Sequence, residues 1–175
     1  MKKVLVLMSV YNGRKYLKQQ IDSILLQEGV DVDILIRDDC SNDGSFEYIK
    51  EVIKGNKNIS LYKTDKNGGS AVARNIGLKH AKGRYITFLD SDDTLDPNYL
   101  ESQYKFIKDN GPIITAGYRR VTENSNSVFM PRKTISYKEL LKGNDCSCLT
   151  TMYDREVIGD IYFHEDLIKS EDFIF

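Results

Sequence analysis

The chain is poor in the residues that mark special architectures. Among its 175 residues there are three cysteines, three prolines, two histidines and no tryptophan. Cys40, Cys146 and Cys148 do not make a disulfide framework. Cys146-x-Cys148 has the wrong spacing for a zinc knuckle and no second pair, so reduced cysteines in a cytosolic protein are expected. No stretch resembles an interdomain linker, and no internal repeat is present. Neither sign of charge dominates: 25 Lys and Arg face 26 Asp and Glu, for a net charge of −1. That balance excludes a bulk attraction to nucleic acid or to an anionic membrane, so an anionic ligand must be held by a local arrangement. No apolar run approaches membrane-spanning length. The apolar start after Met1-Lys2-Lys3 imitates a signal peptide, but Ser9 breaks it and Tyr11-Asn12-Gly13-Arg14-Lys15 is no cleavage site. The chain also lacks a Gly-Lys-Ser/Thr loop and a G-x-G-x-x-G fingerprint.

What is present is a rhythm. Apolar, β-favouring runs at 3–9, 32–37, 59–64 and 85–89 read as strands, with helices expected over 14–27, 45–54, 70–82 and 97–109. In the first helix Leu17, Ile21, Ile24 and Leu25 fall on one face. Ser45 and Ser70 are placed to cap their helices, as is Asp96 before Pro97. Strand alternating with helix implies an α/β fold with a parallel sheet and right-handed crossovers. Beyond 109 the pattern loosens. Strands are expected at 113–121 and 127–130 around a polar loop, and another at 149–153. Ser136-x-x-Glu139 forms a capping box, and Asp154 can cap a short helix. One domain over 1–175 is expected, with a nucleotide-binding half at 1–96 and a less regular half at 97–175.

The chemistry-bearing residues cluster where strands end. Asp90, Asp92 and Asp93 follow the fourth strand directly, at the carboxyl end where an open α/β sheet binds ligands. A hard divalent cation would offset their mutual repulsion and leave room for phosphate oxygens. A bare D-x-D is common in acidic loops; the strand-end position favours the site. Asp38-Asp39 end the second strand and could accept hydrogen bonds from a ribose or a base, whereas Asp43 fits a simple Asx turn. Ser9 and Tyr11 end the first strand, and the tyrosine ring could stack on a base. Asn67-Gly68-Gly69 allows close backbone approach before a helix N-terminus suited to an anion. Arg74, one turn in, could face a nucleotide or pair with an acid. Glu171-Asp172 could include a general base or be a solvated acidic tail.

Each motif is weak alone, but the ordered set is specific. Ser9-Val10-Tyr11-Asn12, Asp38-Asp39-x-Ser41-x-Asp43-Gly44-Ser45, Gly68-Gly69-x-x-x-Ala73-Arg74-Asn75-x-Gly77, Phe88-Leu89-Asp90-Ser91-Asp92-Asp93 and Glu171-Asp172 together resemble the inverting, GT-A-type glycosyltransferases of family 2, over 4–175. The resemblance implies a GT-A (Rossmann-like) α/β fold, with a mostly parallel central sheet and helices on both faces. It implies a nucleoside-diphosphate sugar as donor, UDP- or dTDP-linked, and a hydroxyl of a glycan or lipid-linked acceptor. By the family's pattern Ser9, Tyr11, Asn12, Asp38, Asp39, Gly69 and Arg74 fall in the nucleotide-sugar pocket, with Asp90 and Ser91, and Asp93 at the sugar end. Asp90 and Asp92 match the D-x-D that meets Mn²⁺ or Mg²⁺ on the diphosphate. Asp172 matches the catalytic base, with Glu171 beside it, and the Phe163-His164-Glu165 segment is structural. The resemblance also implies work in capsule, wall or lipopolysaccharide assembly, in the cytoplasm or peripherally at the inner face of the membrane. Family members usually continue past Asp172, so an acceptor-shaping, membrane-facing C-terminal part is expected to be missing. Two other readings stay open. A nucleotidyltransferase would want a Gly-rich, basic loop after the first strand, which 9–15 supplies only partly. A non-catalytic nucleotide-sugar-binding module is the other.

Overall fold

The computed structural model describes residues 2–140, 142–143 and 145–166. Four strands, β1 (Lys3–Val10), β2 (Asp31–Asp38), β3 (Ile59–Lys63) and β4 (Tyr85–Asp90), pair in parallel. Between them run α1 (Leu17–Leu25), α2 (Ser45–Val52) and α3 (Gly69–His80). After α4 (Tyr99–Asn110) come β5 (Ile113–Thr115) and a separate hairpin of β6 (Tyr118–Thr122) and β7 (Ser125–Phe129). The short α5 (Tyr137–Leu140), a 3₁₀ turn at Cys148–Thr150, β8 (Thr151–Asp154) and α6 (Arg155–Ile158) complete the described elements. β8 inserts antiparallel between β4 and β5, giving the sheet order β3-β2-β1-β4-β8-β5.

The central strands β1 and β4 are mostly apolar because both of their faces are covered. From β1, Val4, Val6, Met8 and Val10 pack with Leu17, Ile21 and Ile24 of α1, Ile49 of α2 and Leu100, Tyr104 and Ile107 of α4. Leu5 and Leu7 face the other way, with Leu35, Ile86 and Phe88, against Ala71 and Leu78 of α3. Leu25, expected on the inner face of α1, is exposed.

From β1 the chain moves outward to β2 and β3, then crosses back to β4 on the other side of β1. The crossover opens a crevice at the carboxyl ends of β1 and β4, the place where such sheets take ligands. Ser9 and Asp90 stand opposite one another there.

The structure departs from the sequence expectation at several ends. The expected strand 113–121 is two strands, because the chain leaves the main sheet at Ala116-Gly117 for the hairpin. A Cβ on Gly117 would lie 2.7 Å from the Phe129 carbonyl oxygen, so only glycine allows the hairpin to close there. Ser45 and Ser70 do not cap; Gly44 and Gly68 hold the cap positions. α4 starts at Tyr99 rather than Pro97, with Asn98 as cap residue instead of Asp96. Gln27 takes over part of that duty: its Oε1 accepts from Leu100 N (2.9 Å), and its Nε2 donates to the Asp96 carbonyl (2.7 Å). The Asp154 cap forms, and the Ser136/Glu139 capping box forms by half: Glu139 Oε2 accepts from Ser136 N, but Ser136 Oγ donates to the same carboxylate while Glu139 N donates to the Ser136 carbonyl.

Candidate active site

The turn after β4 is the centre of the site. Asp93 N donates to Asp90 O at 3.2 Å, closing Asp90-Ser91-Asp92-Asp93 into a β-turn. Gln20, buried on the apolar stripe of α1, donates its amide to the same Asp90 carbonyl. Gly13, in the loop after β1, lies against this turn: a Cβ there would stand 2.9 Å from Ser91 Cβ.

On one side of the turn lies a hollow of about 390 Å³, lined by Ser9, Tyr11, Asp39, Gly69, Arg74, Asp90 and Ser91 among others. The elements explain the grouping. Ser9 and Asp90 come from paired strand ends, Tyr11 and Asp39 from the loops that follow β1 and β2, and Gly69 and Arg74 from the first turns of α3. Arg74 is buried, and its Nη2 reaches Asp90 Oδ1 at 2.9 Å and Oδ2 at 3.1 Å. Arg74 thus pairs with an acid while also lining the hollow.

Asp39 is spent largely on shaping the hollow. Its Oδ1 accepts from Thr64 Oγ1 (3.0 Å) and Gly68 N (3.1 Å), and its Oδ2 from Gly68 N (3.0 Å) and Gly69 N (2.9 Å). The carboxylate thereby holds the glycine loop and lets Gly69 adopt φ +82°. Asp38 is fully buried, with Oδ1 on Ser41 N at 3.0 Å. Asn12 joins two loops: its N donates to Ser41 Oγ (3.0 Å), and its Oδ1 accepts from Asn42 N (2.9 Å). Neither Asp38 nor Asn12 lines the hollow. Asp43 makes the expected Asx turn, accepting from Ser45 N and Arg14 N.

On the other side lies a second hollow, of about 240 Å³. Asp93, Thr94, Leu95 and Tyr99 border it below, and Gly117, Arg119 and Val121 of the hairpin border it above. The acidic turn therefore divides two cavities: Asp90 and Ser91 face the first, and Asp93 faces the second. Asp92 is exposed between them and enters no ion pair among the described residues. Burial, with the charges of Asp92 and Asp90 adding to it, pushes the Asp93 carboxyl up to about 6.

A hard divalent cation suits this all-oxygen donor set. The turn also crowds the carboxylates of Asp90, Asp92 and Asp93 together, a repulsion that a cation would offset. Among the described residues no group of three or more His, Cys, Asp or Glu side chains could hold a metal, so the described residues offer at most a partial seat.

Sequence reasoning missed two supports. Gln20 stands as a polar residue on an apolar stripe, which was a usable signal. The other is Asn75, buried in α3. Its Nδ2 donates to Phe163 O (2.9 Å) and Glu165 Oε1 (2.8 Å), and its Oδ1 accepts from Phe163 N (2.7 Å). The Phe163 ring meets Phe88 edge-on at 5.2 Å, and the Arg74 guanidinium lies 5.4 Å from its centre. Phe163 and Glu165 are structural, as expected. Glu171 and Asp172 lie outside the described residues.

A model described as glycosyl transferase family 2 matches residues 5–162. An uncharacterised glycosyltransferase of Haemophilus influenzae is 39% identical over 173 residues, covering 97% of this chain and 68% of the relative. The Escherichia coli UDP-Glc:α-D-GlcNAc-diphosphoundecaprenol β-1,3-glucosyltransferase WfgD is 32% identical over 172 residues, covering 97% of this chain and 66% of that protein. Among solved structures, S. aureus TarS 1–349 in complex with UDP superposes with a TM-score of 0.80 at 24% identity, covering 98% of this chain and 53% of that one. The chain thus spans about two thirds of these curated relatives and about half of the TarS fragment.

Proposed function

Because the chain belongs to glycosyl transferase family 2, we propose that it transfers a sugar from a nucleoside-diphosphate donor, UDP- or dTDP-linked, to a hydroxyl of a glycan or lipid-linked acceptor with inversion. The observation that carries this reading is the acidic turn between two hollows. The larger hollow takes the nucleotide and the smaller takes the acceptor side, so the anomeric carbon of the donor comes to rest at the turn. Tyr11 covers the base at the end of the hollow bordered by Asp39 and Gly69, and the diphosphate end lies toward the acidic turn. Arg74 holds Asp90 in place, which leaves Asp92 as the carboxylate able to turn outward. Asp92, with Asp90, would hold Mn²⁺ or Mg²⁺ alongside oxygens of the diphosphate. Such an ion, when bound, supplies charge neutralisation for the departing diphosphate. Asp172, with Glu171 beside it, is assigned by resemblance as the base that takes the acceptor's proton.

The WfgD name pairs a UDP-linked donor with a β-linked product and a lipid diphosphate acceptor. The same classes are proposed here, in cell-surface polysaccharide assembly on the cytoplasmic side of the membrane with peripheral attachment. None of the helices among the described residues is long and apolar enough to cross a bilayer. A thermal-shift screen of nucleotide sugars, with and without Mn²⁺, tests the reading. A donor raises the unfolding temperature by an amount that grows with the logarithm of its affinity, and more with the metal. No shift with any UDP- or dTDP-sugar would remove the donor assignment.

A further inference from the structure

Arg37 is the polar side chain that the site leaves unexplained. It is 3% exposed, and neither Nε nor Nη2 has a hydrogen-bond partner among the described residues. Burial pulls its guanidinium below the ordinary value, against the opposing pull of Asp39 and Asp38. A guanidinium carries five donors and does not shed its proton, so it cannot escape this cost by becoming neutral. Buried donors are normally satisfied, and an orphaned charged one calls for an acceptor that arrives later.

Its position says where the acceptor would come from. In the sheet Arg37 pairs with Ser9 on one side and Tyr62 on the other. With Asp90 beside Ser9, this makes one row: Tyr62, Arg37, Ser9, Asp90. The row lies on the face covered by α3, because Leu35, two residues earlier in β2, packs with Ala71 and Leu78 of that helix. Ser9 across the sheet and Asp39 along the strand both line the larger hollow, as do Ser70 and Ala73 of α3. Arg37 is not itself a lining residue, but its cross-strand partner Ser9 and its chain neighbour Asp39 are, which places it next to that cavity.

We propose that Arg37 lies beneath the floor of the donor hollow and reads the nucleobase, donating from Nε and Nη2 to a ring carbonyl oxygen of a uracil- or thymine-type base. The base end is favoured over the diphosphate end by charge. The carboxylates acting on Arg37 are Asp39 and Asp38, beside which a neutral carbonyl is tolerated and a diphosphate is repelled. Adenine has no ring carbonyl and gains nothing there. The inference rests on the donor-site reading above and adds to it a source of base selectivity.

Titration calorimetry of UDP and ADP with the wild type and Arg37→Met, together with thermal unfolding of both ligand-free proteins, is the test. The wild type should prefer UDP by about tenfold or more, the worth of one hydrogen bond to a charged group. Arg37→Met should lose most of that preference by weakening UDP, while its ligand-free form melts at or above the wild-type temperature, since an unsatisfied buried cation is gone. If the variant keeps the preference, the proposal falls. It falls also if both nucleotides weaken equally and the ligand-free variant melts lower, which would make Arg37 a structural counter-charge. A wild type that binds neither nucleotide removes the donor reading as well, whereas unchanged UDP binding in the variant removes this inference alone.

Discussion

At Asp93, burial and two neighbouring carboxylates act in one direction, lifting the carboxyl from the ordinary 3.8 to about 6. Between those values the folded protein keeps a proton that the unfolded chain has released. Stability is therefore highest below the unfolded value, falls as pH rises through this window, and levels off above it. Urea unfolding of the metal-free protein from pH 4 to pH 7 should show that decline. Asp93→Asn should flatten it and be the more stable protein at pH 7; a variant with the parent's slope would show that Asp93 is not the group responsible. Residue types at strand ends were legible in the sequence, but their partners were not. Ser9, Tyr11, Arg74 and Asp90 do share a hollow. Asp39 lines the same hollow and also accepts from the amides of Gly68 and Gly69. Nothing in a strand-end Asp-Asp pair tells whether its acceptors meet a loop or a ligand.

Among the elements, α3 has two jobs. Its first turns border the donor hollow, and its Asn75 clasps the segment at Phe163. Asn75→Ala removes three hydrogen bonds from a buried site, so it should cost about 2–4 kcal/mol in denaturant unfolding. A loss within the error of the measurement would mean the clasp is not formed in solution. The loop after β1 is held as tightly. Gly13→Ala drives a methyl into Ser91 and should destabilise by about 1–3 kcal/mol. Adding Ser91→Gly to Gly13→Ala should recover most of that loss, because the colliding Cβ is gone; strictly additive losses would refute the contact. Elements with both faces buried were legible to within a few residues, since Val, Ile and Leu runs mark them. The break between β5 and β6 was not, because Tyr118 to Thr122 continues the β-favouring run. Two helix starts slipped because Gly44 and Gly68 take the cap positions, with Asp43 accepting from Ser45 N and Asp39 from Gly68 and Gly69 N beside them.

For the molecule as a whole, the order β3-β2-β1-β4-β8-β5 matters more than any one side chain. It brings the ends of β1 and β4 together and sets the acidic turn between the larger hollow and a smaller one roofed by the β6–β7 hairpin. The alternating pattern up to β4 announced the parallel half. The insertion of β8 between β4 and β5 rests on long-range pairing that no local pattern encodes. The central claim is that this turn, through Asp92, carries the metal-assisted grip on the donor's diphosphate. Its most direct test is calorimetric titration of UDP into the wild type and Asp92→Ala, each with Mn²⁺ and with EDTA. The expected result is tighter binding with Mn²⁺ in the wild type, and a variant that keeps the metal-free affinity but loses the gain. A variant that gains as much from Mn²⁺ as the wild type would contradict it.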